Sequence, residues 1–216
     1  MFLFLIGLMF FSLRMEHAVH RSTDAIATLS GTEPVRTKIL NTLKNDLSRQ
    51  GLAVQINPVE GVLSLSEALL FDKGKAELAK RGEDALAVLA QSLFNSVFCY
   101  AAPIEGMVRK ACSVTVYSLE AIIIEGHTDS DGNDTGNWNF SVKRAFNVYQ
   151  TLMGASAGLA RLVNLNQQTL FSLSGYGKGR PIKPNDTDEN KQRNRRIDIR
   201  LVMTSPSATL IHAVIP

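Results

Sequence analysis

The stretch that decides the reading runs from Gly126 to Val148, GHTDSDGNDTGNWNFSVKRAFNV. Before it, Leu119–Gly126 (LEAIIIEG) is apolar and β-branched, the pattern of a buried strand. The segment from Thr128 to Gly136 is rich in Gly, Asn and Asp, which read as a loop. A helix follows, beginning near Asn137 and running over Asn139–Met153, with Ser141, Arg144 and Ala145 in its first turns. An acid at a strand end and an arginine in the second turn of the next helix can converge across one pocket. Such a pair suits a zwitterion, with carboxylate on guanidinium and ammonium on carboxylate. The helix N-terminus adds backbone N–H donors for an anionic group.

The surrounding sequence supplies the rest of a sheet. Leu52–Asn57 and Gly61–Ser66 alternate apolar and polar residues about Pro58 and Gly61, as a hairpin does. Lys75–Phe94 carries Leu78, Leu86, Leu89, Ala90 and Leu93 on one helical stripe. Leu170–Ser174 and Ile197–Met203 read as short strands, the second with Ile197, Ile199 and Leu201 on one face and Asp198 and Arg200 on the other. This order implies a two-layer α/β sandwich with helices on one face, spanning residues 52–204. Ser96–Tyr117 reads as an irregular insertion and residues 205–216 as a tail.

The N-terminal side differs in character. Met1–Leu13 (MFLFLIGLMFFSL) has no charge, but it is shorter than the ~20 residues of a spanning helix. A short uncleaved anchor, the end of a longer membrane helix and an export signal all fit it. The favoured expectation is a membrane anchor over residues 1–14, followed by a connecting amphipathic segment over residues 15–51. In that segment Val35, Ile39, Leu40, Leu43 and Leu47 recur at helical spacing.

Composition and motif spacing narrow the function. The 216 residues are 45% hydrophobic and 20% charged with a net charge of +3, a folded chain lacking the concentrated basic stripe of a nucleic-acid binder. Asp129, Asp131 and Asp134 crowd together, but Gly132 comes too early for an EF-hand turn and Phe140 stands where the closing Glu belongs. Gly175–Gly179 lacks the Ser or Thr of a phosphate loop. Ser141 has no identifiable His partner and no G-x-S-x-G is present, so no enzyme activity is expected. His127 reads as a packing or hydrogen-bonding residue, and no metal or other cofactor is implied. Cys99 and Cys112 lack zinc spacing; they either close a small loop as a disulfide or remain two thiols.

Gly126–Val148 resembles the signature of the OmpA C-terminal family, which includes peptidoglycan-associated lipoproteins and the wall-binding domains of MotB-like flagellar stators. LLFDKGKAELAKRG (69–82), with Phe71 at the characteristic aromatic position, SGYGKGRPIKPN (174–185) and QRNRRIDIRL (192–201) are similar to its other motifs. Phe140 replaces the usual Leu, a tolerable core exchange, and the cysteine-bearing insertion is longer than in typical members. The resemblance implies a βαβαββ fold that binds peptidoglycan through diaminopimelate, anchoring a membrane protein or complex to the cell wall. Asp129 would hold the ammonium and Arg144 the carboxylate. Thr128, Asn137 and Arg195 would line or brace the pocket, with Phe71 alongside. Simple structural roles are the alternative: an ion pair for Asp129 and Arg144, a strand-end role for Arg195, and a solvated position for Arg196.

The implied location is a periplasmic domain on a membrane anchor, most naturally at the inner membrane. The same layout occurs in MotB-like stator subunits and in Zorya-like phage-defence complexes. That reading adds a multi-pass membrane partner and a homodimer to the expectations.

Overall fold

The computed structural model describes residues 31–103, 112 and 117–204. The apolar segment 1–14, most of the insertion and the tail lie outside the described residues. Among the described residues, no helix is long and apolar enough to cross a membrane.

A helix, α1, covers residues 31–49. It precedes a hairpin of β1 (Gln55–Asn57) and β2 (Val62–Ser66). Gly61 closes that turn at a φ of 75°, a conformation side chains with a Cβ resist. A one-turn helix α2 (Glu67–Leu70) and the long α3 (Lys80–Val97) follow. Beyond the insertion come β3 (Ser118–His127), α4 (Asp134–Ala155), α5 (Ala157–Ala160), β4 (Phe171–Gly175), α6 (Asp188–Asn194) and β5 (Arg196–Thr204). The sheet order is β1-β2-β5-β3-β4, antiparallel except for the β3–β4 pair. The expected two-layer α/β arrangement is therefore present as a five-stranded sheet with helices against one face.

Register explains the two faces. Leu63 pairs with Ile199, Leu65 with Ile197, and Ile122 with Leu201, so these side chains share the face that α3 and α4 cover. α1, expected as a connecting segment, also sends Ile39, Leu40, Leu43 and Leu47 into this same core. The opposite face carries Ser64, Glu125, His127, Arg196 and Asp198.

Three sequence expectations need correction. α3 begins at Lys80 rather than Lys75. Residues before it form a turn closed by a Phe71–Leu78 bridge, and the carbonyls of Lys75 and Ala76 accept hydrogen bonds from Arg144 and Asn147 instead of helical N–H groups. α4 begins at Asp134, before Asn137, because the Asn133 side chain accepts the Gly136 N–H at 2.7 Å and caps it. Arg196 is only 6% exposed rather than solvated. Its guanidinium donates to Asp198, and to the carbonyl of Arg180 in the loop folded over that face.

Of the two readings of the cysteines, the disulfide holds: Cys99 and Cys112 are bonded, with Cα atoms 5.4 Å apart.

A charge-relay cleft at the strand ends

β3 and β4 end side by side, with Gly126 and Gly175 as register partners. Both positions exclude side chains because α4 crosses there. A Cβ on Gly126 would stand 2.1 Å from the Ser141 carbonyl oxygen, and one on Gly175 would stand 2.4 Å from a Val142 methyl. The two glycines thus set how closely α4 approaches the strand ends. Ser141 fastens the crossing: its hydroxyl donates to the Trp138 carbonyl and accepts the Gly177 N–H at 3.0 Å.

This approach brings the β3–α4 loop and the first three turns of α4 around a cleft of about 570 Å³. Thr128, Asp129, Asn137, Arg144 and Arg195 all line it, as does Glu67 from the start of α2. Asp129 and Arg144 share the cleft but are not each other's ion-pair partner. Asp129 Oδ2 accepts from Arg195 Nη1 at 2.5 Å, while its Oδ1 accepts the Asp131 N–H at 3.0 Å. Arg144 Nη2 donates to Glu67 Oε1, and Arg195 Nε donates to Glu67 Oε2 at 2.5 Å. The result is a chain of alternating charge, Asp129–Arg195–Glu67–Arg144, with no net charge.

Arg144 is 2% exposed and held on all sides. Its Nε and Nη2 donate to the Lys75 carbonyl at 2.9 and 2.7 Å. Its guanidinium carbon lies 4.7 Å from the Phe71 ring centre and 4.1 Å from that of Phe140. Phe71, expected beside the ligand, is itself 1% exposed and supports the Arg144 guanidinium from below. Burial pulls Arg144 below the ordinary arginine pKa, against the opposing hydrogen bond and charge of Glu67. Burial also works against Arg195, but its hydrogen bonds to Asp129 and Glu67 outweigh this and hold it above the ordinary value.

The other expected residues brace the loop. The Thr128 N–H donates to the Gly177 carbonyl and its hydroxyl to the Asp129 carbonyl, both at 2.9 Å. Asn137 Nδ2 donates to the Asp131 carbonyl. Buried Asn194 ties the loop after β4 through Ile182 and Lys183, and its Nδ2 reaches Asn185, whose side chain also accepts the Ser130 N–H.

Glu67 is the residue that sequence reasoning missed. The signal available was a lone acid directly ahead of the apolar run Ala68–Phe71. On the far face, His127 is 2% exposed and stacks on Tyr176 with ring centres 5.3 Å apart. Its Nε2 lies 3.3 Å from Asp198 and 3.9 Å from Glu125. These three residues present donor atoms within 4.8 Å of one another, a spacing a cation could use. Arg196 and Arg200 already neutralise the two carboxylates.

A two-layer α/β sandwich thus carries a charge-alternating, neutral four-residue relay in a cleft at its strand ends. Residues 103–195 match the OmpA family. Motility protein B of Bacillus subtilis is 25% identical over 181 residues, covering 82% of this chain and 58% of that protein. The uncharacterised protein YtxE of the same organism is 31% identical over 145 residues, covering 64% and 46%. The putative lipoprotein YfiB of Escherichia coli is 28% identical over 144 residues, covering 67% and 71%. This chain thus spans about half the length of the first two relatives, 46% and 58%.

The same fold occurs in two solved structures. A putative MotB-like protein from Desulfovibrio vulgaris has a TM-score of 0.52 at 23% identity, covering 80% of this chain and 91% of that one. The cell wall anchor of the type VI secretion system from Pseudomonas aeruginosa has a TM-score of 0.51 at 19% identity, covering 80% and 99%.

Proposed function

We propose that the cleft binds the peptide stem of peptidoglycan through the zwitterionic end of diaminopimelate, and that this non-catalytic contact anchors a membrane-attached protein to the cell wall. The carrying observation is that Asp129 and Arg144, brought from a loop and a helix, face one cleft with opposite charges and backbone-fixed orientations. Asp129 receives the ligand ammonium and Arg144 its carboxylate, while Thr128, Asn137 and Arg195 hold the walls. The match of residues 103–195 to the OmpA family and the fold shared with a cell wall anchor support this reading. Placement in the bacterial envelope, with the domain in the periplasm and residues 1–14 in the inner membrane, belongs to the same proposal.

A second reading is specific to the whole assembly. The match to Motility protein B extends over 82% of this chain, beyond the wall-binding motifs, and favours a stator-like subunit with a multi-pass partner and a second copy of itself. A proton-carrying acid in the membrane helix is the feature such a motor needs. Met1–Leu13 contains none.

The test is co-sedimentation of the full chain, in detergent, with isolated peptidoglycan sacculi, beside Asp129→Ala. Removing one partner of a charge contact costs about 2–5 kcal/mol, so the variant's binding should fall about thirtyfold or more. Circular dichroism should show an intact fold, because Arg195 keeps Glu67 as partner. A folded Asp129→Ala protein that pellets like wild type refutes the assignment.

A further inference from the structure

We infer that Glu67 makes the cleft selective for zwitterions, by holding Arg144 and Arg195 in a relay that only a ligand carrying both charges can open without stranding a partner. This rests on the reading of the cleft as a diaminopimelate site and adds a specificity residue to it.

The ends of the relay are held by groups outside it, and its middle by the relay alone. Asp129 is held from behind by the Asp131 N–H, and Arg144 by the Lys75 carbonyl and two aromatic rings. Arg195, whose side chain is 28% exposed, is the most open member of the relay. A ligand ammonium can take the place of Arg195 on Asp129, while its carboxylate takes the place of Glu67 on Arg144. Glu67 and Arg195 then remain partners, each released from one outer bond, and every charge is still paired.

A ligand with one charge cannot complete this exchange. A bare carboxylate displaces Glu67 from Arg144 and leaves an excess of acid in a cleft where Glu67 is only 8% exposed. A bare ammonium displaces Arg195 and leaves an excess of cation. Uncompensated charge in a partly buried site is costly, so rejection of the wrong ligand is built in as a penalty rather than as a missing contact. Without Glu67 the relay would carry two guanidiniums against one acid, Asp129, and would tilt toward a carboxylate.

The experiment titrates the full chain in detergent with meso-diaminopimelate, with pimelate (the same carbon chain without amines) and with 1,5-diaminopentane (without carboxylates), by calorimetry or ligand-observed NMR. Wild type should prefer diaminopimelate by about a hundredfold over either single-charge analogue. Glu67→Gln removes the charge and keeps one of the two acceptors, and should lose at least about tenfold of the discrimination against pimelate. Arg195→Gln makes the opposite change, and should lose discrimination against 1,5-diaminopentane instead. It also keeps the inference testable if circular dichroism shows Glu67→Gln to be unfolded. Discrimination unchanged from wild type in a folded variant overturns the role of the relay while leaving the cleft's ligand intact. Failure of wild type to bind diaminopimelate overturns the reading of the cleft and this inference together.

Discussion

Replacing Gly126 with alanine places a methyl carbon 2.1 Å from the Ser141 carbonyl oxygen and 2.8 Å from its carbonyl carbon. Non-bonded heavy atoms settle at about 3.5 Å, so the two backbones must separate by ~1 Å. The obstruction is helix backbone, which cannot rotate away as a side chain would. α4 would therefore have to lift as a unit from β3 and β4, loosening Val148 and Leu152, both fully buried. Overpacking of this kind costs about 1–3 kcal/mol, and a rigid obstruction puts Gly126→Ala near 3. The same displacement moves Arg144, three residues beyond Ser141, away from Asp129, so the wall binding proposed above should weaken as well. Urea unfolding followed by circular dichroism measures the stability term. Gly154→Ala on the same helix is the control: a Cβ there meets nothing within 4 Å, and relief of helical glycine should stabilise by about 0.5–1 kcal/mol. If Gly126→Ala lies within ~0.5 kcal/mol of wild type, close approach of α4 is not what the glycine provides.

Two further perturbations test other parts of the structure. Burial alone would raise the Asp198 carboxyl, but His127, the Arg196 charge and the Ser64 hydroxyl hold it below its ordinary value of 3.8. A depressed carboxyl stabilises fully above that value and loses its contribution as pH falls through the folded pKa. The stability advantage of wild type over Asp198→Asn should therefore shrink on acidification from pH ~5 to ~2, and an advantage that stays constant would contradict this. Leu43→Ala, at a residue 1% exposed on α1, should cost about 2–5 kcal/mol in urea unfolding. A cost well under that range would return α1 to the status of a mere connector.

The elements were legible where neighbours in sequence settle the pattern. The alternation in Val62–Ser66 and the β-branched run in β3 mark strands, while the spacing of Leu86, Leu89 and Leu93 marks the stripe of α3. The start of α3 was misplaced for a physical reason. Lys75 and Ala76 continue the helical periodicity, but their carbonyls are claimed by Arg144 and Asn147, 69 and 71 residues away. Arg196 was misjudged because strand alternation tells which face a residue takes, and not whether a later loop covers that face.

By itself the sequence determined the class of the fold, the loop that carries Asp129 and the helix that carries Arg144, because periodicity and turn residues are local properties. It did not determine how those charges are partnered. Glu67 joins Arg144 across 77 residues and Arg195 across 128. Only the folded sheet decides that pairing, since it brings the starts of α2 and β5 to the same end as the β3–α4 loop. The neutrality of the relay, and the selectivity inferred from it, are therefore properties of the tertiary structure: a charge's energy depends on what lies within a few ångströms of it, however far apart in sequence.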